Sequence, residues 1–104
     1  MTTDRVAGLL KMLERSPDDA RVHFGLALEY EKAGQWEEAR ARLSRYLELT
    51  EDEGNAWGRL GHALRQLGRI DEARAAYTRG IQVASRHGHP SMALEFEEIL
   101  EELD

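Results

Sequence analysis

Apolar residues recur at three- and four-residue steps along most of this chain, with polar residues between them. Residues at these steps share one face of a helix, so the spacing predicts amphipathic helices. Residues 54–67 show the pattern clearly, with a stripe of Trp57, Leu60, Gly61, Leu64 and Leu67. Gly68 follows the stripe and is expected to end the helix, because glycine adopts the left-handed conformation at little cost.

The same pattern predicts further helices on both sides of this one. A partner helix begins at Ile70, and its stripe consists of Ile70, Ala73, Tyr77, Ile81 and Ala84. Other helices are predicted over residues 4–15, 18–33, 36–49 and 90–104. Ser16 with Pro17 is expected to cap the helix over 18–33. Thr50 and Glu53 have the spacing of a capping box before residue 54.

Two consecutive segments of the chain, 20–53 and 54–87, align with each other at an offset of 34 residues and without a gap. The aligned pairs include Leu26 with Leu60, Gly34 with Gly68, Leu47 with Ile81, and Glu38-Ala39-Arg40 with Glu72-Ala73-Arg74. Each segment is therefore predicted to be two antiparallel helices joined by a glycine turn.

The period and its residues resemble the tetratricopeptide repeat family. Trp57-Gly58-Arg59-Leu60-Gly61 is similar to the family's W-x-x-L-G opening, and Ala73 with Tyr77 to its A-x-x-x-F/Y step. The first segment departs from the pattern at His23, where a large aromatic is usual, and at Tyr46, where a small residue is usual. His23 is expected to be a partly buried, neutral histidine at this packing position, and not a ligand or a catalytic base.

The resemblance implies an all-α solenoid of about six helices, in one domain over residues 1–104. Residues 4–15 are expected to be the second helix of a truncated repeat, with an apolar face of Val6, Leu9, Leu10, Met12 and Leu13. Residues 20–53 and 54–87 form the two full repeats. Residues 90–104 carry a stripe of Met92, Phe96, Ile99, Leu100 and Leu103, and we expect them to cap the open apolar end of the stack.

The charge of the chain argues against nucleic acid as a partner. The formal net charge is −6, whereas a general nucleic-acid binder needs a basic surface. The charge is also uneven, at −4 over residues 1–53, +4 over 54–87 and −6 over 88–104. The acidic last helix either lies beside the basic second repeat and offsets it, or is a solvated face.

The remaining composition narrows the class further. The chain has no cysteine, which excludes disulfides and cysteine-ligated zinc. Apolar runs are too short for a membrane span or a signal peptide, so a cytoplasmic location is expected. The twelve arginines against two lysines favour a GC-rich bacterial source.

Catalytic chemistry has little support in the sequence. The chain lacks a phosphate-binding glycine loop, a nucleophile elbow and a His-x-x-x-His pair. His87 and His89 flank Gly88, but a lone His-x-His in a loop seldom binds a functional metal. We therefore expect no enzyme activity, no metal and no cofactor.

The resemblance implies that the first helix of each repeat lines a concave groove. Carried over by register, the groove residues are Arg21, Phe24, Leu28, Asn55, Arg59, His62, Arg65 and Gln66. Half of this groove is apolar, and half is basic and polar. The family's carboxylate clamp for a chaperone tail needs Lys and Asn where this chain has Phe24 and Leu28, so that ligand is not expected.

These residues predict a protein-interaction module that holds a partner segment carrying acidic and apolar side chains. The alternative is a homo-oligomer, such as a homodimer, in which Phe24, Leu28 and the Val6/Leu10 face bury each other. Neither nucleic acid nor a membrane is expected as a partner.

Overall fold

The computed structural model describes residues 2–103, with side chains from residue 4 onward. That part of the chain forms helices joined by short turns: α1 (Thr2–Arg15), α2 (Ala20–Lys32), α3 (Trp36–Leu49), α4 (Asn55–Gln66), α5 (Ile70–Arg86) and α6 (Pro90–Leu103). The predicted helices and the all-α class are confirmed, and Asp104 of the last predicted helix lies outside the described residues. The helices group into two compact units, residues 1–50 and 51–104. The single domain over 1–104 stays a prediction.

The two helix-pair turns are built alike in the two units. Gly34 and Gly68 both have left-handed backbones, with φ of 70° and 76°. The next residue in each unit closes the turn, because Gln35 N donates to the Tyr30 carbonyl and Arg69 N to the Leu64 carbonyl, both at 2.9 Å. Those bonds satisfy carbonyls that the ends of α2 and α4 would otherwise leave open.

The predicted helix caps are wrong in both places. Asp19, not Ser16, is the N-cap of α2, and its side chain accepts a hydrogen bond from Arg21 N at 3.1 Å. Before α4, Asp52 Oδ2 accepts from Gly54 N and Ala56 N, both at 2.8 Å, in place of a Thr50–Glu53 box. An aspartate nearer to the first helical turn reaches the open N–H groups over a shorter span in each case.

Unit 1 packs α1 and α3 against α2. Val22, Leu26, Tyr30 and Ala39 form its buried cluster, and Val6, Leu9 and Leu13 of α1 pack against it. The predicted apolar face of α1 is too wide, because Leu10 is 38% exposed and Met12 is 52% exposed. A helix that packs against a single neighbour buries only a narrow stripe.

His23 is buried in unit 1, more completely than the partial burial that was predicted. Its Nε2 lies 2.8 Å from the Pro17 carbonyl, which can only accept, so Nε2 carries the hydrogen. Its Nδ1 lies 3.3 Å from Arg42 Nη1, which donates. These two contacts satisfy both ring nitrogens where the family usually has a plain aromatic.

Unit 2 packs α5 against both α4 and α6. Small residues let its helices approach closely: a Cβ at Gly61 would come within 2.7 Å of the Tyr77 ring. Trp57 is only partly buried, whereas its place in the stripe predicted a core residue. The Arg79 guanidinium carbon lies 5.9 Å from the Trp57 ring centroid, a cation–π distance.

Candidate partner-binding surfaces

The predicted groove residues of unit 1 lie on α2. Arg21 is exposed, whereas Phe24 and Leu28 are partly buried and one helical turn apart. The Phe24 ring packs against the Tyr46 ring of α3, with centroids 4.9 Å apart and planes tilted by 46°. Phe24 and Leu28 therefore present an apolar patch, and the contact with Tyr46 keeps the Phe24 ring in place.

The predicted groove residues of unit 2 lie on α4. Asn55, His62 and Gln66 are exposed, while Arg59 and Arg65 are partly buried. Steps of three along the helix place Arg59, His62 and Arg65 on neighbouring parts of one side. This side is basic and polar, and its partly buried guanidinium groups lose less side-chain freedom on binding a carboxylate than fully exposed ones would.

The last helix, α6, lies against part of the α4 surface. A Cβ at Gly58 would meet Phe96 Cζ at 2.5 Å, and one at Gly80 would meet Phe96 Cε2 at 2.8 Å. A Cβ at Gly54 would meet Met92 Sδ at 2.7 Å. The Phe96 and Met92 side chains thus fill spaces that these glycines leave in unit 2.

Polar contacts tie the far end of α6 to the same unit. Arg65 Nη2 lies 3.9 Å from Glu102 Oε2, and Arg74 Nη2 donates to the Leu103 carbonyl at 2.8 Å. The acidic helix therefore lies beside the basic repeat and offsets part of its charge. The Arg65–Glu102 pair is long and both side chains are partly exposed, so its net stabilisation is small, about 0–1 kcal/mol.

The two loop histidines, His87 and His89, lie between α5 and α6. Among the side chains that the structure describes, no group of three or more histidine and carboxylate ligands is close enough to hold an ion. His89 Nε2 lies 2.6 Å from Glu53 Oε1, and this hydrogen bond lowers the pKa of the Glu53 carboxyl. No helix within residues 2–103 is long and apolar enough to cross a membrane.

Unit 1 has one further surface feature, which the sequence pattern does not predict. An open depression at the turn between α2 and α3 is lined by Tyr30, Gln35, Trp36, Glu37 and Glu38. The 34-residue alignment carried a clue to it, because Gln35 aligns with Arg69. Apolar periodicity does not reveal such a site, because the exchange of Arg69 for Gln35 leaves the apolar stripe unchanged.

Comparisons with known proteins agree with the repeated helix pairs. A family model described as tetratricopeptide repeat matches residues 24–88. A TPR repeat-containing protein of Pseudomonas aeruginosa is 34% identical over 99 residues, which span 95% of this chain and 94% of that protein.

Two solved structures titled MamA share the fold. One has a TM-score of 0.70 and 24% identity, covering 99% of this chain and 67% of its own. The other, a MamA mutant, has a TM-score of 0.67 and 28% identity, covering 97% of this chain and 67% of its own.

Proposed function

The chain belongs to the tetratricopeptide repeat family, and we propose that it is a non-catalytic cytoplasmic module that holds a segment of another protein. Family membership supports a protein-interaction role in general. The identity of the surface and the chemistry of the partner are our proposals, and they rest on the α2 and α4 faces. The observation that carries them is the unequal character of those faces, one apolar and one basic.

The apolar part of the partner segment would anchor on α2. Phe24 and Leu28 stand one turn apart and are partly exposed, so a partner side chain seated on them removes apolar surface from water. The Phe24 ring is already held by Tyr46, and little conformational entropy is lost when a ligand packs on a ring that is fixed beforehand.

The acidic part of the segment would bind to α4. Arginine pairs bidentately with carboxylates, and each such bond contributes on the order of 1.5–3 kcal/mol when desolvated. Arg65 faces Glu102 at 3.9 Å, a distance too long for a strong hydrogen bond. A partner carboxylate could therefore replace Glu102 at Arg65 with little loss of stability in unit 2.

A capture experiment tests this proposal. The protein is immobilised, bound proteins are recovered from the native host, and they are identified by mass spectrometry. The Arg59→Glu/Arg65→Glu double variant should lose the captured partner while its melting temperature stays nearly unchanged. Capture by the unchanged protein should weaken with added salt, because charge pairs at a rim are screened.

A matched variant controls for general charge reversal. Arg79→Glu/Arg86→Glu makes the same charge change on exposed positions of α5 and should leave capture intact. Retention of the partner by the α4 double variant would count against the groove, and so would unfolding of that variant.

The alternative function is self-association, and the exposure of α1 favours it. Leu10 and Met12 are large apolar side chains with substantial exposure, and a second copy could cover them together with Phe24 and Leu28. Light scattering over a range of concentrations separates the two functions. A mass of one chain at all concentrations would exclude the homodimer, and a dimer that Leu10→Ser/Met12→Ser dissociates would support it.

A further inference from the structure

The depression at the turn of unit 1 has a volume of about 490 Å³ and a mixed aromatic and acidic wall. Tyr30 comes from the end of α2, Gln35 precedes α3, and Trp36, Glu37 and Glu38 form its first turn. None of these residues belongs to the predicted groove, so a role for the depression is independent of the groove function.

The backbone of this turn is repeated in unit 2. Gln35 and Arg69 hold equivalent places before α3 and α5, with φ of −90° at both and ψ of 78° and 71°. Both accept a hydrogen bond at 3.0 Å, from Ala39 N and Ala73 N respectively. The two turns therefore share a backbone conformation and differ in their side chains.

In unit 2 the residue aligned with Gln35 is an arginine that binds a carboxylate of the first turn of α5. Arg69 donates from Nε and Nη2 to the two carboxylate oxygens of Glu72, at 2.5 and 2.9 Å, while Asp71 pairs with Arg74 at 2.9 Å. The Arg69–Glu72 contact is bidentate, a geometry that matches the fork of arginine and not the point charge of lysine.

Unit 1 keeps the carboxylates and lacks that cation. Glu37 pairs with Arg40 at 2.6 Å, as Asp71 pairs with Arg74. Glu38 aligns with Glu72, but Gln35 replaces the arginine. Among residues 4–103, the Glu38 side chain makes no hydrogen bond or ion pair. Glu38 thus lines the depression without the guanidinium partner that its aligned residue, Glu72, has in unit 2.

Aromatic residues replace aliphatic ones in the same wall. Tyr30 stands where unit 2 has Leu64, and Trp36 where it has Ile70. Tyr30 is only 9% exposed, and its side chain makes no hydrogen bond with another residue of the described part of the chain. Aromatic faces attract cations within about 6 Å, and arginine in particular stacks on them.

We propose that this depression binds the guanidinium group of an arginine side chain from a partner protein. Glu38 accepts its bidentate hydrogen bonds, as Glu72 does from Arg69, and Trp36 and Tyr30 form the apolar wall beside it. The N-terminus of α3 carries roughly half a positive charge, which opposes a cation. The same opposing charge is present at α5, where Arg69 is nevertheless held, because Glu72 and Asp71 outweigh it.

An NMR titration of the intact, ¹⁵N-labelled protein tests the proposal. The probe is N-acetyl-arginine amide, whose blocked ends imitate an arginine within a chain. It should cause saturable shifts of the Trp36 indole N–H and of the amides of residues 35–38, with a dissociation constant on the order of millimolar, as befits one exposed ion pair and cation–π contact. N-acetyl-citrulline amide, the neutral isostere, should cause none, and N-acetyl-lysine amide should bind more weakly.

Two variants decide whether the site is the one described. Gln35→Arg installs the arginine of unit 2 and should lower the affinity for the probe at least roughly tenfold, because its own guanidinium fills the site. Glu72→Gln alters the equivalent carboxylate of unit 2 and should leave the titration unchanged. The proposal is overturned if no saturable shift occurs, if citrulline binds equally, or if Gln35→Arg binds as well as the unchanged protein. Preference for free arginine over the blocked probe would overturn the assignment to a protein partner.

Discussion

One pair of aligned positions distinguishes the two units. In unit 1 these positions hold Phe24 and Tyr46, whose rings pack on each other within the unit. In unit 2 they hold Gly58 and Gly80, and the space above both glycines is filled by Phe96 of α6. In unit 1 the helix pair thus fills these two positions with its own side chains. In unit 2 the corresponding helix pair receives a ring from a third helix.

The comparison shows how a repeat can be made receptive to a further helix. Two glycines remove the side chains that would keep α6 at a distance, and Phe96 then also lies 5.7 Å from the Tyr77 ring. In unit 1 the same two positions carry aromatic rings, which pack on each other. The family departure at Tyr46 is therefore one half of a compensated pair, since Phe24 supplies the other ring.

Loss of the Phe96 ring should have the largest effect on this comparison. Phe96 is buried between Gly58 and Gly80, so Phe96→Ala leaves a cavity that glycines cannot fill, and it should cost about 3–5 kcal/mol. Urea unfolding of the variant measures this cost. Leu94→Ala on the same helix is the control, because Leu94 is 56% exposed and should change stability by less than about 0.5 kcal/mol. Equal effects at the two positions would contradict the packing of the Phe96 ring between Gly58 and Gly80.

The helices were predictable because their signal is local. Residues 36–49 were predicted as a helix and form α3, since stripe and turn residues agree there. The helix predicted over 18–33 is Ala20–Lys32, because Asp19 and not Ser16 caps it. Apolar periodicity locates a helix well, but it does not decide which of several polar residues caps it.

The surfaces were less predictable because they depend on which helices meet. Gly58 is visible in the sequence only as part of the W-x-x-L-G opening, and its contact with Phe96 depends on how α6 docks, which the repeat period does not determine. Trp57 belongs to the predicted apolar stripe of residues 54–67. Its ring is nevertheless partly exposed, because this face of α4 does not pack evenly along its length. The depression at Gln35 was visible only as a replacement at one aligned position, and its meaning came from the Arg69–Glu72 contact in unit 2.

Alanine at two helical glycines should shift stability in opposite directions. At Gly58 a Cβ would lie 2.5 Å from Phe96, and Gly80 behind the ring limits its retreat, so overpacking should outweigh the gain in helix propensity. We expect Gly58→Ala to destabilise by about 1–2 kcal/mol. At Gly25 of unit 1 a Cβ would meet Leu9 at an ordinary 3.6 Å, so Gly25→Ala should stabilise by about 0.5–1 kcal/mol. Urea unfolding curves give both values, and a shared sign would show that the two units do not differ in packing there.

The smallest expected effect concerns Tyr77, which unit 1 replaces with Leu43. Burial raises the pKa of the Tyr77 hydroxyl, and nearby Arg65 lowers it by less. A phenol that ionises later in the folded than in the unfolded protein stabilises the fold fully below about pH 10, and this contribution is lost as the pH rises through the folded pKa.

Unfolding midpoints in urea should therefore fall between about pH 8 and about pH 11, and fall less in Tyr77→Phe, which cannot ionise there. The variant keeps the other two tyrosines and both lysines, so the difference between the two slopes belongs to Tyr77 alone. Equal pH dependences of the urea midpoint in the two proteins would mean that the Tyr77 hydroxyl is as well hydrated in the folded as in the unfolded protein. The Tyr77 ring would then not be buried against Gly61 in unit 2.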